Sequence, residues 1–340
     1  MLRRLGPALL GVALALVAAE LAVRQVYSLS LEYEPGYGFV TAADTTVRWR
    51  REGTATSHWT THGVRRASPP TDDTPRILAL GDSFTEAFMI ADDETYTSRL
   101  EATLGGVQVV NAGRSTSSAA DYVAFAERHR RLFSAAWTIV QLRDDDVTSD
   151  AFEPGRTHFE LPRSKAEELR VTPVVLPDRS GLAWRLRQRS MLIGYGAVRV
   201  GELRKLAAAE PPLFHGAAAP KPRPVEPPDE SYPVEQELDA LAAAYEGRLT
   251  LLLMPPFDPK APDTPSAVEA RILAHCAHRG LSCVTPRPAF ATMARNGEAP
   301  YGFPNTGFNT GHMNALGHAA CAEALAKELA LRGIGGGRSP

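Results

Sequence analysis

Four short stretches of the 340-residue chain hold residue types suited to acyl transfer. Ser83 stands in "RILALGDSFTEAF", Asn111-Ala112-Gly113 and Asp144-Asp145-Asp146 each follow an apolar run, and His312 stands in "FNTGHMNALGH". A serine at a sharp turn after a strand exposes its Oγ and offers backbone N–H groups to a developing oxyanion, while a histidine supplies the base. The competing account is a serine that only shapes the turn, since Gly-Asp-Ser is also good turn chemistry.

These residues need a frame that brings them together, and the surrounding sequence predicts one. Strands are expected near 76–80, 107–110, 138–142, 248–254 and 281–284, separated by helices near 94–104, 118–132, 234–246 and 265–279, with a last helix over 315–331. Strands alternating with helices imply βαβ units and a parallel sheet covered on both faces. Right-handed crossovers then put every strand C-terminus on one edge, where reactive groups collect. The pattern lapses between residues 147 and 233: 183–208 reads as a basic amphipathic helix or helix pair, and 210–233 is too rich in proline for helix or central strand. The α/β pattern resumes afterwards, so the Pro-rich segment reads as an insertion in one domain.

The N-terminus carries Arg3 and Arg4 before the uncharged run Leu5 to Ala19. That run makes about 22 Å of helix and needs Leu21 to Val23 to complete a span. A signal anchor or a cleaved signal peptide both fit residues 1–30, and either places residues 31–340 outside the cytoplasm. Residues 31–75 read as a polar lead-in that packs on the catalytic domain. A net charge of −2 and a pI near 6.5 leave no basic field for a phosphate backbone, so nucleic acid is not an expected partner. Of the three cysteines, Cys276 and Cys283 are near enough in sequence for one disulfide in an exported chain, with idle thiols the equal alternative. His275, Cys276, His278 and Cys283 lack the paired spacing of a zinc site. No phosphate-cradling or dinucleotide glycine motif is present, so neither a metal nor a cofactor is expected.

In "GDSFTEAF", "ADDETYTSRLEATLGGVQVVNAG" and "GHMNALGHAACAEAL", taken in that order, the chain resembles the GDSL-type SGNH hydrolases over about residues 60–330. The resemblance implies a three-layer α/β/α, flavodoxin-like fold with a parallel sheet over about 76–335, here preceded by one hydrophobic N-terminal helix. It implies Ser83 as nucleophile and oxyanion donor, Gly113 as a second oxyanion donor and His312 as general base; His318 reads as a packing or capping residue. Two positions depart from the pattern. Asp145 stands where the family's oxyanion asparagine is expected, and Asn309 stands where its triad aspartate is expected, three residues before His312. An ionised carboxylate has no proton to donate to an oxyanion, and a carboxylate among Asp144, Asp145 and Asp146 is one candidate to replace the missing acid.

The function implied is a membrane-tethered or exported serine esterase that cleaves an O-acyl ester, with O-acetyl the expected group, on a glycan or small molecule. Two other functions fit the same residues: a polysaccharide O-acyltransferase, and a glycan-binding protein that has lost its chemistry at Asp145 and Asn309.

Overall fold

In the computed structural model, described over residues 2–34, 37–65, 74–147, 158–160, 172–174, 181–182, 186, 189–208 and 233–335, the chain forms two compact units. The first comprises Met1–Ser30 with Asp178–Pro227, the second Leu31–Pro177 with Pro228–Pro340. Most of the Pro-rich segment expected at 210–233 lies outside the described residues.

The first unit is built on the helix α1 (Leu2–Val26). Its stretch Leu9–Val26 has a mean hydropathy of 1.8 and is unburied, so it is long and apolar enough to cross a membrane or serve as a signal sequence. Glu20 interrupts the apolar run for a local reason. Its carboxylate accepts the Ser190 hydroxyl at 2.7 Å and the N–H groups of Met191 and Leu192, both at 2.9 Å. Those are orphan donors at the start of a second helix, Met191–Ala208, which the acid caps.

The second unit holds Ser83 and His312. Its lead-in forms two hairpins, β1 (Leu31–Glu34) with β2 (Gly38–Thr41), and β3 (Thr45–Trp49) with β4 (Ala55–Trp59). The central sheet uses β5 (Arg76–Leu80), β6 (Gln108–Asn111), β7 (Trp137–Leu142), β10 (Leu249–Leu253) and β11 (Ser282–Val284). A small hairpin, β8 (His158–Glu160) with β9 (Thr172–Val174), lies between β7 and β10 in sequence. The sheet order β6-β5-β7-β10-β11, parallel throughout, is the doubly wound arrangement that reverses direction between β5 and β7. Ligand crevices open at that reversal, and Ser83 follows β5 by three residues.

The alternation along each strand explains the three layers. Leu78, Leu80, Val110, Val140, Leu142, Leu251 and Leu253 face one way, against Tyr122, Leu238, Leu241 and Ile272. Ile77, Ala79, Val109, Ile139 and Leu252 face the other, against Tyr96, Leu100, Phe290, Leu325 and Leu329. A parallel sheet buried on both faces reads as continuous apolar runs, and these strands do. The expected helix over 118–132 is broken: Ala119–Ala124 and Ala126–Phe133 meet at Phe125, whose φ of −97° and ψ of 6° leave the helical well. A hairpin, β12 (Tyr301–Phe303) with β13 (Gly307–Met313), precedes the last helix, Ala315–Leu331.

The lead-in is stitched to the sheet's outer strand. The Arg65 N–H donates to the Asn111 carbonyl at 2.9 Å, and its buried guanidinium meets Asp92 at 2.7 Å and the carbonyls of Ile90 and Glu86 at 2.6 and 3.1 Å. Cys276 and Cys283 form a disulfide between the helix Ala267–Arg279 and β11.

Candidate active site

The turn after β5 is set by three side chains. A Cβ at Gly81 would lie 2.0 Å from Thr85 Oγ1 and 2.5 Å from Gln141 Oε1, so only glycine passes there. Asp82 caps the short helix Ser83–Glu86 by accepting the Phe84 N–H at 2.9 Å. Buried Gln141, at the end of β7, accepts the Asp82 N–H at 3.2 Å and the Thr85 hydroxyl at 3.0 Å. Ser83 is thereby held at the crevice, half-buried, with its own N–H lacking an acceptor among the described residues.

His312 comes to Ser83 from β13. Its Nε2 lies 2.9 Å from Ser83 Oγ. The other ring nitrogen, Nδ1, lies 2.5 Å from Glu52 Oε2, and the His312 backbone N–H donates to Glu52 Oε1 at 2.6 Å. With Nδ1–H donating to a carboxylate, Nε2 is left as the acceptor for the serine proton, the tautomer a general base requires. Burial alone would raise the Glu52 carboxyl, but hydrogen bonds from the His312 ring and N–H, and the imidazole charge, hold it below the usual carboxylate range.

Glu52 sits in the loop between β3 and β4, outside the three stretches that carry the family resemblance. The hairpin is pinned on both sides of the site. Trp49 stacks on Phe88 with ring centroids 5.2 Å apart, and Gly53 exchanges two hydrogen bonds with the Asn305 side chain, at 3.0 and 3.2 Å. Gly53 has φ of 65°, and a Cβ there would meet the Met89 carbonyl at 2.4 Å. The one hint of Glu52 in the sequence is its setting: two alternating runs, "TTVRW" and "ATSHW", flank a charged turn that holds it.

The remaining expected residues fall elsewhere. Asn309 is exposed at φ of 60° in β13, and Glu52, not Asn309, holds His312. Both N–H groups of His312 are already given to Glu52, which leaves no donor for a second acceptor at 309. Gly113 donates its N–H to Asn111 Oδ1 within its own turn at 3.1 Å, and a Cβ there would meet the Glu86 N at 2.3 Å. Its glycine is therefore required by close backbone approach, while its donor is engaged locally. His318 accepts the Tyr96 N–H at 3.1 Å and is buried as a neutral ring, its pKa driven well down by burial.

None of the three consecutive acids bonds His312. Asp145 pairs with Arg143 Nε at 3.2 Å, so the carboxylate at the oxyanion-asparagine position is drawn to a neighbouring cation. Asp146 accepts the Arg143 N–H at 2.8 Å, and burial together with the Asp82 charge pushes its carboxyl well up, toward the neutral form. Asp82 is pushed up to about 6 by burial, partly offset by Arg143. Asp144 is also pushed up by burial. The Arg143 guanidinium lies 4.7 Å above the Phe84 ring, whose centroid is 4.8 Å from that of His312. No group of His, Cys, Asp and Glu suited to hold a metal ion occurs among the described residues.

Similar folds occur among solved structures. A lipolytic protein of the G-D-S-L family from Veillonella parvula matches over 74 % of this chain and 96 % of its own, at 9 % identity and a TM-score of 0.38. A lipase/acylhydrolase from Enterococcus faecalis matches over 76 % and 96 %, at 11 % identity and 0.39. A catalytic mutant of an acetylxylan esterase from Geobacillus stearothermophilus matches over 78 % and 97 %, at 15 % identity and 0.40. No family model and no curated protein matches the chain. Likeness at these scores transfers no activity, and function rests on the chain's own side chains.

Proposed function

We propose that this chain is a serine ester hydrolase in which Ser83, His312 and Glu52 form the catalytic triad. The observation that supports this reading is the unbroken relay from Ser83 Oγ through the His312 ring to the Glu52 carboxylate, at 2.9 and 2.5 Å. A protein that only bound glycans would have no need of a carboxylate that fixes the imidazole tautomer beside a serine hydroxyl.

In the reaction, Ser83 Oγ attacks the acyl carbonyl as its proton passes to His312 Nε2. Glu52 stabilises the resulting imidazolium, and the Ser83 N–H donates to the carbonyl oxygen as it gains charge. The tetrahedral species collapses, the C–O bond to the alcohol breaks, and His312 returns the proton to the departing oxygen. Water then repeats the sequence on the acyl-serine, releasing the acid and restoring Ser83.

The substrate class we propose is an O-acyl ester, O-acetyl in the first instance, of a glycan or small molecule outside the cytoplasm. An N-terminal helix able to cross a membrane or direct export and the Cys276–Cys283 disulfide both fit an oxidising compartment. Labelling with a fluorophosphonate probe tests the reading. The wild-type chain is expected to label and Ser83→Ala not to; labelling that survives Ser83→Ala, or none in the wild type, sinks it.

A further inference from the structure

Beside the triad lies a cavity of about 120 Å³, walled by Phe84, Pro256, Phe257, Tyr301, Thr310 and Arg143. It is too small for a whole ligand of ordinary size and suits one substituent. Gly311, next to His312, also lines it, so whatever occupies it is one residue from the general base.

Arg143 is the cation of that cavity. A guanidinium carries five N–H donors in a rigid fork. Asp145 takes the Nε donor at 3.2 Å, and the terminal nitrogens have no hydrogen-bond partner among the described residues. The Phe84 ring lies 4.7 Å from the guanidinium carbon and limits its movement. The side chain is 36 % exposed, open to a ligand yet partly shielded from solvent. We infer that Arg143 is a specificity-determining residue that binds a carboxylate on the ester substrate, held in this cavity beside Ser83 and His312.

The match is one of shape as well as charge. A carboxylate accepts two parallel N–H bonds from one guanidinium edge, and a cation held over an aromatic ring loses less freedom on forming them. The acids around Arg143 set the limit: Asp145 pairs with it directly, and Asp82 acts on it through charge. Asp145 is thus a competitor for the same guanidinium, and the strength of anion binding depends on it.

The inference rests on the esterase reading and deepens it. A matched pair of substrates tests it: O-acetylated methyl glucuronoside and O-acetylated methyl glucoside, which differ in the carboxylate, assayed by acetate release. The ratio of kcat/KM for the uronate over the glucoside is expected to exceed one in the wild type. It should fall about ten- to a hundredfold in Arg143→Gln, the range of a hydrogen bond between charged groups. Asp145→Asn, which removes the competing negative charge while its Oδ1 can still accept from Nε, should raise it. A ratio unchanged by Arg143→Gln, or lowered by Asp145→Asn, overturns the inference. Binding separates it from the hydrolase reading. Titration calorimetry on Ser83→Ala should show sodium glucuronate binding more tightly than glucose, with the difference lost in the Ser83→Ala, Arg143→Gln double variant. Arg143-dependent binding without any hydrolysis would sustain this inference while the esterase reading failed; equal binding of glucuronate and glucose would overturn it even if hydrolysis held.

Discussion

Glu52 and His312 stand 260 positions apart and share two hydrogen bonds, one to the imidazole and one to the backbone N–H. The double contact fixes both the ring's tautomer and the strand that carries it.

Glu52→Gln keeps the size of the side chain but replaces one carboxylate oxygen with an amide donor, which cannot accept from Nδ1–H. By comparison with triads whose acid is removed, kcat should fall about 10²- to 10⁴-fold with KM little altered. Asn309→Asp should not rescue it, because His312 turns its N–H groups to residue 52. Steady-state kinetics of the two single variants and the double variant check both statements.

Gly311→Ala tests the same contact from the other side. Gly311 has φ of 69°, and a Cβ there would lie 2.1 Å from Glu52 Oε1. The methyl must displace the carboxylate, so kcat should drop toward that of Glu52→Gln. Introducing alanine here into Glu52→Gln should then cost little more, a non-additivity that a double-mutant cycle reads directly.

A second buried acid governs stability rather than chemistry. Burial pushes the Glu237 carboxyl, in the helix Val234–Ala244, up from 4.5 to about 8, and its Oε2 has no hydrogen-bond partner among the described residues. The folded state therefore holds a proton that the unfolded chain releases above about pH 4.5. Stability should fall as pH rises from there and level off above about 8. Glu237→Gln removes that dependence, and its advantage over the wild type should grow to a few kcal/mol by pH 9, on the order of 1.4 kcal/mol per pKa unit. Urea unfolding at pH 5 and pH 9 measures it.

The Cys276–Cys283 bond closes a short loop. Cutting it should lower stability by about 2–3 kcal/mol on a chain-entropy estimate. Paired Cys276→Ser and Cys283→Ser substitutions, compared with the wild type with and without reductant, should show one shared loss instead of two independent ones.

Local chemistry was legible where one segment carried it. Ser83 could be read because strand, glycine and cap are consecutive, and the five central strands because each is a short apolar run between helical stretches. Glu52 could not. Nothing in "RWRREGTATS" distinguishes it from any solvated turn acid; its role arises when Trp49, Gly53 and Asn305 dock the hairpin against residues far along the chain. The same non-locality bears on the departures at Asn309 and Asp145. One position has handed the acid's place to another segment, and the other is answered by Arg143, two residues before it. The break at Phe125 was hidden for a milder reason, since apolar periodicity continues across it while the backbone does not.

The hairpin that carries Glu52 also sets an order in time. At about 5–20 residues per second, the ribosome makes Glu52 roughly 13 to 50 s before His312. The serine, turn and first strands can assemble in that interval with a base still unmade. On the proposed mechanism, catalytic competence arrives last, when the newest strand meets the hairpin of β3 and β4, and a chain cut short anywhere before β13 would carry a serine with no base to activate it.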